Sequence, residues 1–229
     1  MPADDRAPRP AKGPPERRPL DGRSLRLEPL DPERHGVDLF TASAGDATLW
    51  AYMPYGPFDD LAPMTDWLED CARSDDPLFF ALVETGDGRA AGMAGFLNIR
   101  PEHGVLELGH IWFSRRLRRR RPATEAVFLM LRAAFDDLGY RRVEWKCDAA
   151  NAASRSAAKR FGFAYEGTFR QHLIVKGRNR DTAWFAMLDR DWPALRSSFE
   201  AWLDPANFEV EGHQKSSLSA STAATTDWA

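Results

Sequence analysis

Two cysteines in 229 residues, Cys71 and Cys147, cannot build a disulfide framework, and their spacing matches no metal site. A reducing, cytoplasmic setting is therefore expected. No apolar run approaches the roughly 20 residues of a membrane span, and no signal-peptide pattern is present. Overall positive charge is lacking too. The formal net charge is -3, which excludes a chain that is basic throughout and binds nucleic acid with its whole surface. Positive charge is instead local, at 115–121, at Arg141-Arg142 and across 155–160. No internal repeat is visible, and the length suits one domain with tails.

Residues 1–22, rich in proline and arginine with little to bury, are expected to form a disordered leader. Ser24 to Leu30 alternates as a half-buried strand. Asp31-Pro32 then starts a helix that should turn Val37, Leu39 and Phe40 inward. The stretch Thr48–Asp60 mixes aromatics with proline and glycine, so it reads as a loop of large apolar content, with Trp50, Tyr52, Tyr55 and Phe58 as a candidate acceptor wall. A second helix follows over Leu61–Arg73, and strands over Leu78–Val83 and Ala90–Ile99 flank a Gly-Asp-Gly turn. After 143–148 comes a short helix opened by Asn151, then a strand over Phe163–Val175, a turn over Lys176–Asp181 and a return strand over Thr182–Leu188. A last helix ends at Leu203. The chain from 209 to 229 is expected to be disordered, leaving a folded domain at 23–208.

The centre of the chain is Glu107 to Phe113, a buried strand by its apolar pattern, followed by eight residues, 114–121, of which six are arginine. A helix from Pro122 to Leu138 comes next, with proline in its first turn and Gly139 as a left-handed cap. A strand running through a short loop into a helix start offers free amides and a positive dipole end, which suits a phosphate.

Glu107-Leu108-Gly109, Ala123-Thr124-Glu125-Ala126, Asn151-x-x-Ser154, Phe161-Gly162-Phe163 and Glu166-Gly167 together resemble the GNAT superfamily of N-acyltransferases, in particular its Rim-type branch, which acetylates ribosomal protein N-termini. The resemblance covers about 23–203. It implies an α+β (α/β) fold with a mixed, mostly antiparallel central sheet, flanked by helices and splayed between the fourth and fifth strands. It also implies acetyl-CoA or another acyl-CoA as donor, its pantetheine in the splay and its phosphates on the arginine loop. The donor contacts so implied are Ile111, Trp112, Phe113, Arg118, Arg119, Arg120, Arg121, Pro122, Ala123, Thr124, Asn151, Ser154 and Arg160. The chain departs from the family loop at two positions, with Arg121 where a glycine is usual and Pro122 lacking an amide. The tyrosine that many members use as acid falls at Ala158.

Acyl transfer to an amine needs a base, a polarised carbonyl and a proton for the leaving group. Glu107 is the first candidate for base. His172 is a third, behind His110, which a regular strand would turn away from Glu107 and a bulge could bring round. The resemblance gives Ser154 the role of acid, and Ser154 could equally cap its helix. Cys147 reads as a core residue. The expected reaction is transfer of an acetyl or short acyl group to a primary amine, small molecule or peptide N-terminus, by direct attack in a ternary complex. The alternatives are an acyl- or aminoacyl-tRNA donor held by Arg115, Arg116, Arg155 and Lys159 along with the loop, or a non-catalytic binding module. Monomer and homodimer both remain open.

Overall fold

The computed structural model describes residues 7, 9–210 and 212–223. Eight strands form one sheet: β1 (Leu20–Asp21), β2 (Leu25–Pro29), β3 (Leu78–Glu84), β4 (Ala90–Arg100), β5 (Val105–Phe113), β6 (Arg142–Asp148), β7 (Ala164–Val175) and β8 (Arg178–Leu188), in the order β1-β2-β3-β4-β5-β6-β8-β7. Every neighbouring pair is antiparallel except β5 and β6. Their parallel register covers only Val105↔Arg142, Leu106↔Val143 and Glu107↔Glu144. Beyond Glu107 the two strands part, and among the described residues the β5 edge from Leu108 to Phe113 has no strand partner on that side. This is the expected splay. The two-residue β1, which was not expected, shifts its flanking strands to fifth and sixth.

Among the described residues there are six α-helices, α1 (Pro32–Ser43), α2 (Leu61–Arg73), α3 (Arg121–Arg132), α4 (Ala152–Arg160), α5 (Trp192–Leu203) and α6 (Leu218–Ala223), the last packed on α4 and α5. Strand residues alternate between two cores. Leu27, Phe80, Leu106, Leu108, Val143 and Phe185 pack with α3 and α5, while Phe79, Met93 and Trp112 pack with Leu39 of α1 and Met64 and Leu68 of α2.

Asp31 caps α1 as expected, its Oδ1 accepting from the amides of Glu33 and Arg34. The inward face differs by one position, because Val37 is 62% exposed and His35 is buried in its place. His35 Nδ1 accepts from the Asp31 amide, so its Nε2 carries the proton toward Glu28, 3.3 Å away. That polar clasp fixes the rotation of α1. The helix α3 is buried along the whole run from Ala123 to Leu131. Within that run Glu125 accepts from the amides of Arg23 and Ser24 at 2.7 and 2.8 Å, tying α3 to the β1–β2 turn. The single helix expected to Leu138 instead widens into a π turn over Ala133–Asp137. Gly139 then takes φ +71, as expected of a cap, and the Tyr140 amide closes back on the Ala134 carbonyl.

Three boundaries need correction. The leader is ordered over 9–22. The amides of Ala11 and Lys12 donate to the carbonyls of Pro101 and Leu138, Tyr140 donates to the Gly13 carbonyl, and Leu20 enters the core. Its amides find acceptors on the folded body, so it needs no core of its own. The tail is likewise structured over 212–223, with Leu218 and Thr222 fully buried; residues 1–6, 8, 211 and 224–229 lie outside the described set. Finally, the turn expected over Lys176–Asp181 is only Lys176-Gly177, both at positive φ. That geometry matches the right-handed strand twist of a two-residue hairpin, so β8 begins at Arg178.

Candidate active site

Glu107 stands where β5 and β6 part, and it is 5% exposed. Asn98 Nδ2 donates to its Oε2 at 2.7 Å, and Lys146 Nζ lies 2.9 Å from the same oxygen. The same ammonium reaches Glu144 Oε2 at 2.8 Å and sits 3.9 Å over the Trp184 ring. Arg142 continues the chain of charges, joining Glu144 at 2.8 Å and Glu166 at 2.6 Å. The two carboxylates are therefore unequal. Burial opposes ionisation of Glu144, but hydrogen bonds from Lys146 and Arg142 outweigh it and hold its carboxyl below the usual range. Burial also pushes Glu107 up, and its contacts with Lys146 and Asn98 offset this only in part. Of the pair, Glu107 is the one poised to take up a proton.

His110 has φ +51, and the β4–β5 register slips between Gly95↔Gly109 and Met93↔Trp112. This is the bulge that brings His110 to the face carrying Glu107. There Tyr55 Oη lies 3.1 Å from His110 Nδ1, and the Phe79 ring is 4.9 Å away. Burial lowers its pKa to about 4, so it is neutral in ordinary buffers. His172 sits on exposed β7 with Nδ1 3.0 Å from Thr182 Oγ1. It approaches the Glu107 cluster only by way of Trp184, whose ring is 6.2 Å from its own.

Ser154 does not cap α4. Asn151 does, its Oδ1 accepting from the Ser154 amide at 3.0 Å. The Ser154 hydroxyl instead accepts from Trp145 Nε1 at 3.0 Å and is also hydrogen-bonded to the Cys147 thiol. Cys147 is buried and burial raises its pKa, in keeping with a core residue. Ala158 is fully buried and supplies no acid.

The expected acceptor wall divides. Trp50 is 2% exposed and is the hub of a core cluster, within 5.4–6.4 Å of Tyr55, Phe58, Trp67 and Trp112. The chain folds back over it at Gly56, φ +62, where a Cβ would lie 2.7 Å from the indole. Phe58 stacks on Trp67. Only Tyr55, against His110, and Tyr52, whose hydroxyl donates to the Ala150 carbonyl at 3.2 Å, front the splay. Lys176 fastens the loop from the other side by donating to the carbonyls of Trp50 and Tyr55.

The arginine run is sorted by partner. Arg115 and Arg118 meet buried Asp46 at 3.6 and 2.9 Å, Arg118 also donates to the Phe113 carbonyl, and Arg116 meets Glu84 and Asp87 at 2.7 and 2.9 Å. These three hold the loop down. Arg119 and Arg120 are exposed, and among the described residues no carboxylate pairs with them. Arg121 lies over the Phe208 ring at 5.3 Å. Arg160 donates to Thr124 Oγ1 at 3.0 Å and lies 4.9 Å over Trp202. Four guanidinium groups, none paired with a carboxylate among the described residues, thus surround the start of α3, where the amides of Arg121 and Ala123 lack intrahelical acceptors. The left-handed conformation falls on Arg119, φ +59, whereas Arg121 is already helical. The position expected to need glycine does not. Of the remaining expected donor contacts, Trp112 points into the α1–α2 core and Arg118 is spent on Asp46. Arg155 donates to the Ala149 carbonyl, and Lys159 is exposed.

Lys146, Glu144, Asn98 and Asp46 are site residues that the sequence reading passed over. The signal for the first two was polar alternation on β6, a strand buried within the sheet.

A splayed sheet with a carboxylate at its fork and an anion-ready helix start is the arrangement of a GNAT acetyltransferase. The model of the GNAT acetyltransferase domain matches residues 24–164, and the chain belongs to that family. It resembles the crystal structure of a GCN5-related N-acetyltransferase from Brucella melitensis, at 46% identity and TM-score 0.91 over 93% of this chain and 97% of that one. A GNAT-family protein of Chromobacterium violaceum is 45% identical with TM-score 0.76, over 85% and 96%. Among curated proteins, Bacillus subtilis YdaF, whose name assigns it provisionally to ribosomal N-acetylation, is 29% identical over 113 residues. That match spans 48% of this chain and 61% of YdaF.

Proposed function

We propose that the chain transfers an acetyl or other short acyl group from acyl-coenzyme A to a primary amine, by direct attack within a ternary complex. The observation that carries this reading is the sorting of the arginines. Three are neutralised by Asp46, Glu84 and Asp87, while Arg119, Arg120, Arg121 and Arg160 meet no carboxylate among the described residues and gather around one helix start. A compact group of unpaired guanidinium ions suits a few clustered phosphates. A tRNA backbone would favour an extended track, and the outer Arg115 and Arg116 that would begin one are already occupied.

The residues fit the donor. The open β5 edge supplies unpaired backbone beside which an extended pantetheine can lie, and Ile111 and Phe113 of that edge pack on the face shared with α3. Bound there, the thioester supplies the activated acyl carbon. Glu107 takes the ammonium proton, directly or through water; burial raises its proton affinity, and Lys146 opposes that rise. Ser154 passes a proton to the departing thiolate and regains one from the amine nitrogen as the tetrahedral intermediate collapses, while Trp145 holds its oxygen in place. Tyr52 and Tyr55 front the acceptor side, and His110, neutral and fixed by Tyr55, shapes it. The name of YdaF favours a peptide N-terminus as acceptor over a small metabolite.

The test is a pair of calorimetric titrations of the purified protein, one with acetyl-CoA and one with bulk tRNA at low salt. Micromolar binding of acetyl-CoA with no tRNA binding supports the proposal. The reverse result overturns it in favour of a tRNA donor.

A further inference from the structure

The segment after α5 packs where the donor phosphates would bind. Asn207 organises it. Its Nδ2 donates to the carbonyls of Trp202 and Ser216, its Oδ1 accepts from the Ser216 amide, and its carbonyl accepts from the Lys215 amide at 2.7 Å. A bridge between Phe208 and Gln214 closes the loop, and Gln214 Oε1 accepts from Trp202 Nε1 at 2.8 Å. Trp202 and Phe208 meet edge to face at 5.1 Å. Beyond them Leu218 of α6 enters the main core, and Thr222 Oγ1 donates to the Arg160 carbonyl at 3.1 Å.

Two aromatic rings, Trp202 near the end of α5 and Phe208 of the segment, each carry one of the arginines around the start of α3. Phe208 lies under Arg121, the first residue of α3, and Trp202 lies under Arg160, the last residue of α4. An aromatic face holds a guanidinium by its plane and stem without cancelling its charge. A carboxylate, as at Arg116, would hold it and neutralise it. The Thr124 hydroxyl, accepting from Arg160, ties the second arginine to the first turn of α3 in the same charge-preserving way. Burial disfavours the charge on Arg160, so an anion beside it would be bound all the more strongly.

We infer that residues 204–210 and 212–223 are part of the donor site, with Phe208 a positioning residue that presents Arg121 to the phosphates of the donor. This rests on the acyl-CoA reading above and assigns to the C-terminal segment a role in donor affinity.

The test is a double-mutant cycle read by calorimetry with CoA, on the full-length chain. Phe208→Leu keeps apolar bulk and removes the ring; Phe208→Tyr keeps the ring. Leu at 208 should weaken CoA binding about three- to tenfold, Tyr should leave it within twofold or so, and all variants should melt cooperatively. In an Arg121→Ala background Phe208→Leu should cost nothing further, because the arginine it positions is gone. Equal losses from Phe208→Leu with and without Arg121, or no loss in either, would overturn the inference and leave the segment a mere structural cover. Wild-type protein that fails to bind CoA would instead remove the donor reading, and this inference with it.

Discussion

Replacing Lys146 by methionine removes the one cation shared by Glu107 and Glu144 and keeps the length of the side chain. Lys146 is 2.9 Å from one carboxylate and 2.8 Å from the other, and the side chains involved are only 7–10% exposed. Breaking a buried ion pair from one side typically costs about 3–5 kcal/mol, because the remaining charge is stranded. Here the loss should fall near the lower end, about 3 kcal/mol. Asn98 still serves Glu107 and Arg142 still serves Glu144, and Glu107 can escape by binding a proton. The cost should therefore depend on pH. It should be largest near neutrality and shrink as acid protonates Glu107, whose carboxyl without the lysine would rise further above its ordinary range. Urea unfolding of wild type and Lys146→Met across a pH series measures this directly, and the acidic limb of the pH–rate profile should move upward in parallel. A loss below about 1 kcal/mol at neutral pH, or one independent of pH, would refute the claim that this ammonium controls the base.

Glu107→Gln should leave CoA affinity intact and lower turnover by about two to four powers of ten; turnover within a few-fold of wild type removes Glu107 from the role of base. The same variant should alter stability with a definite sign. Because the folded-state pKa of Glu107 is raised above 4.5 by burial, its contribution is fully present below that value and is lost as pH rises through the folded pKa. Urea titrations should show this decline in wild type and not in the variant. Asn151→Ala should cost about 1 kcal/mol through loss of the α4 cap. Ser154→Ala should cost a similar amount by stranding the Trp145 indole N–H, yet slow turnover far more than Asn151→Ala does; equal rates for the two would sink the acid role of Ser154.

Much of this architecture was legible because its signals are local. Alternation marked the strands, Asp31-Pro32 marked the start of α1, and Gly139 marked the end of the long helix. The motif set around Glu107 and Asn151 pointed to the splay. What escaped depends on partners distant in sequence. Asp46, Glu84 and Asp87 lie roughly 30–70 residues from the arginines they neutralise, so the run from 115 to 121 looked like one uniform patch when it is two. The pairing of Lys146 with Glu107 follows from a three-residue parallel register that no local pattern encodes. Asn151 rather than Ser154 capping α4 was a choice between two good caps three residues apart. The composition of 9–22 and 212–223 suggests disorder, whereas Leu20, Leu218 and Thr222 each find a buried place on the folded body. His110 was open in both directions until the bulge decided it.

The central claim is that the inner arginines, and not the outer ones, receive the donor phosphates. The most direct measurement compares acetyl-CoA affinity in two double variants, Arg119→Ala with Arg120→Ala, and Arg115→Ala with Arg116→Ala. The inner pair should lose about tenfold or more, the weight of one or two charge-assisted phosphate contacts, while the outer pair stays within about twofold. Equal losses in both, together with tRNA binding whose salt dependence falls by about one unit of slope per arginine removed, would contradict it.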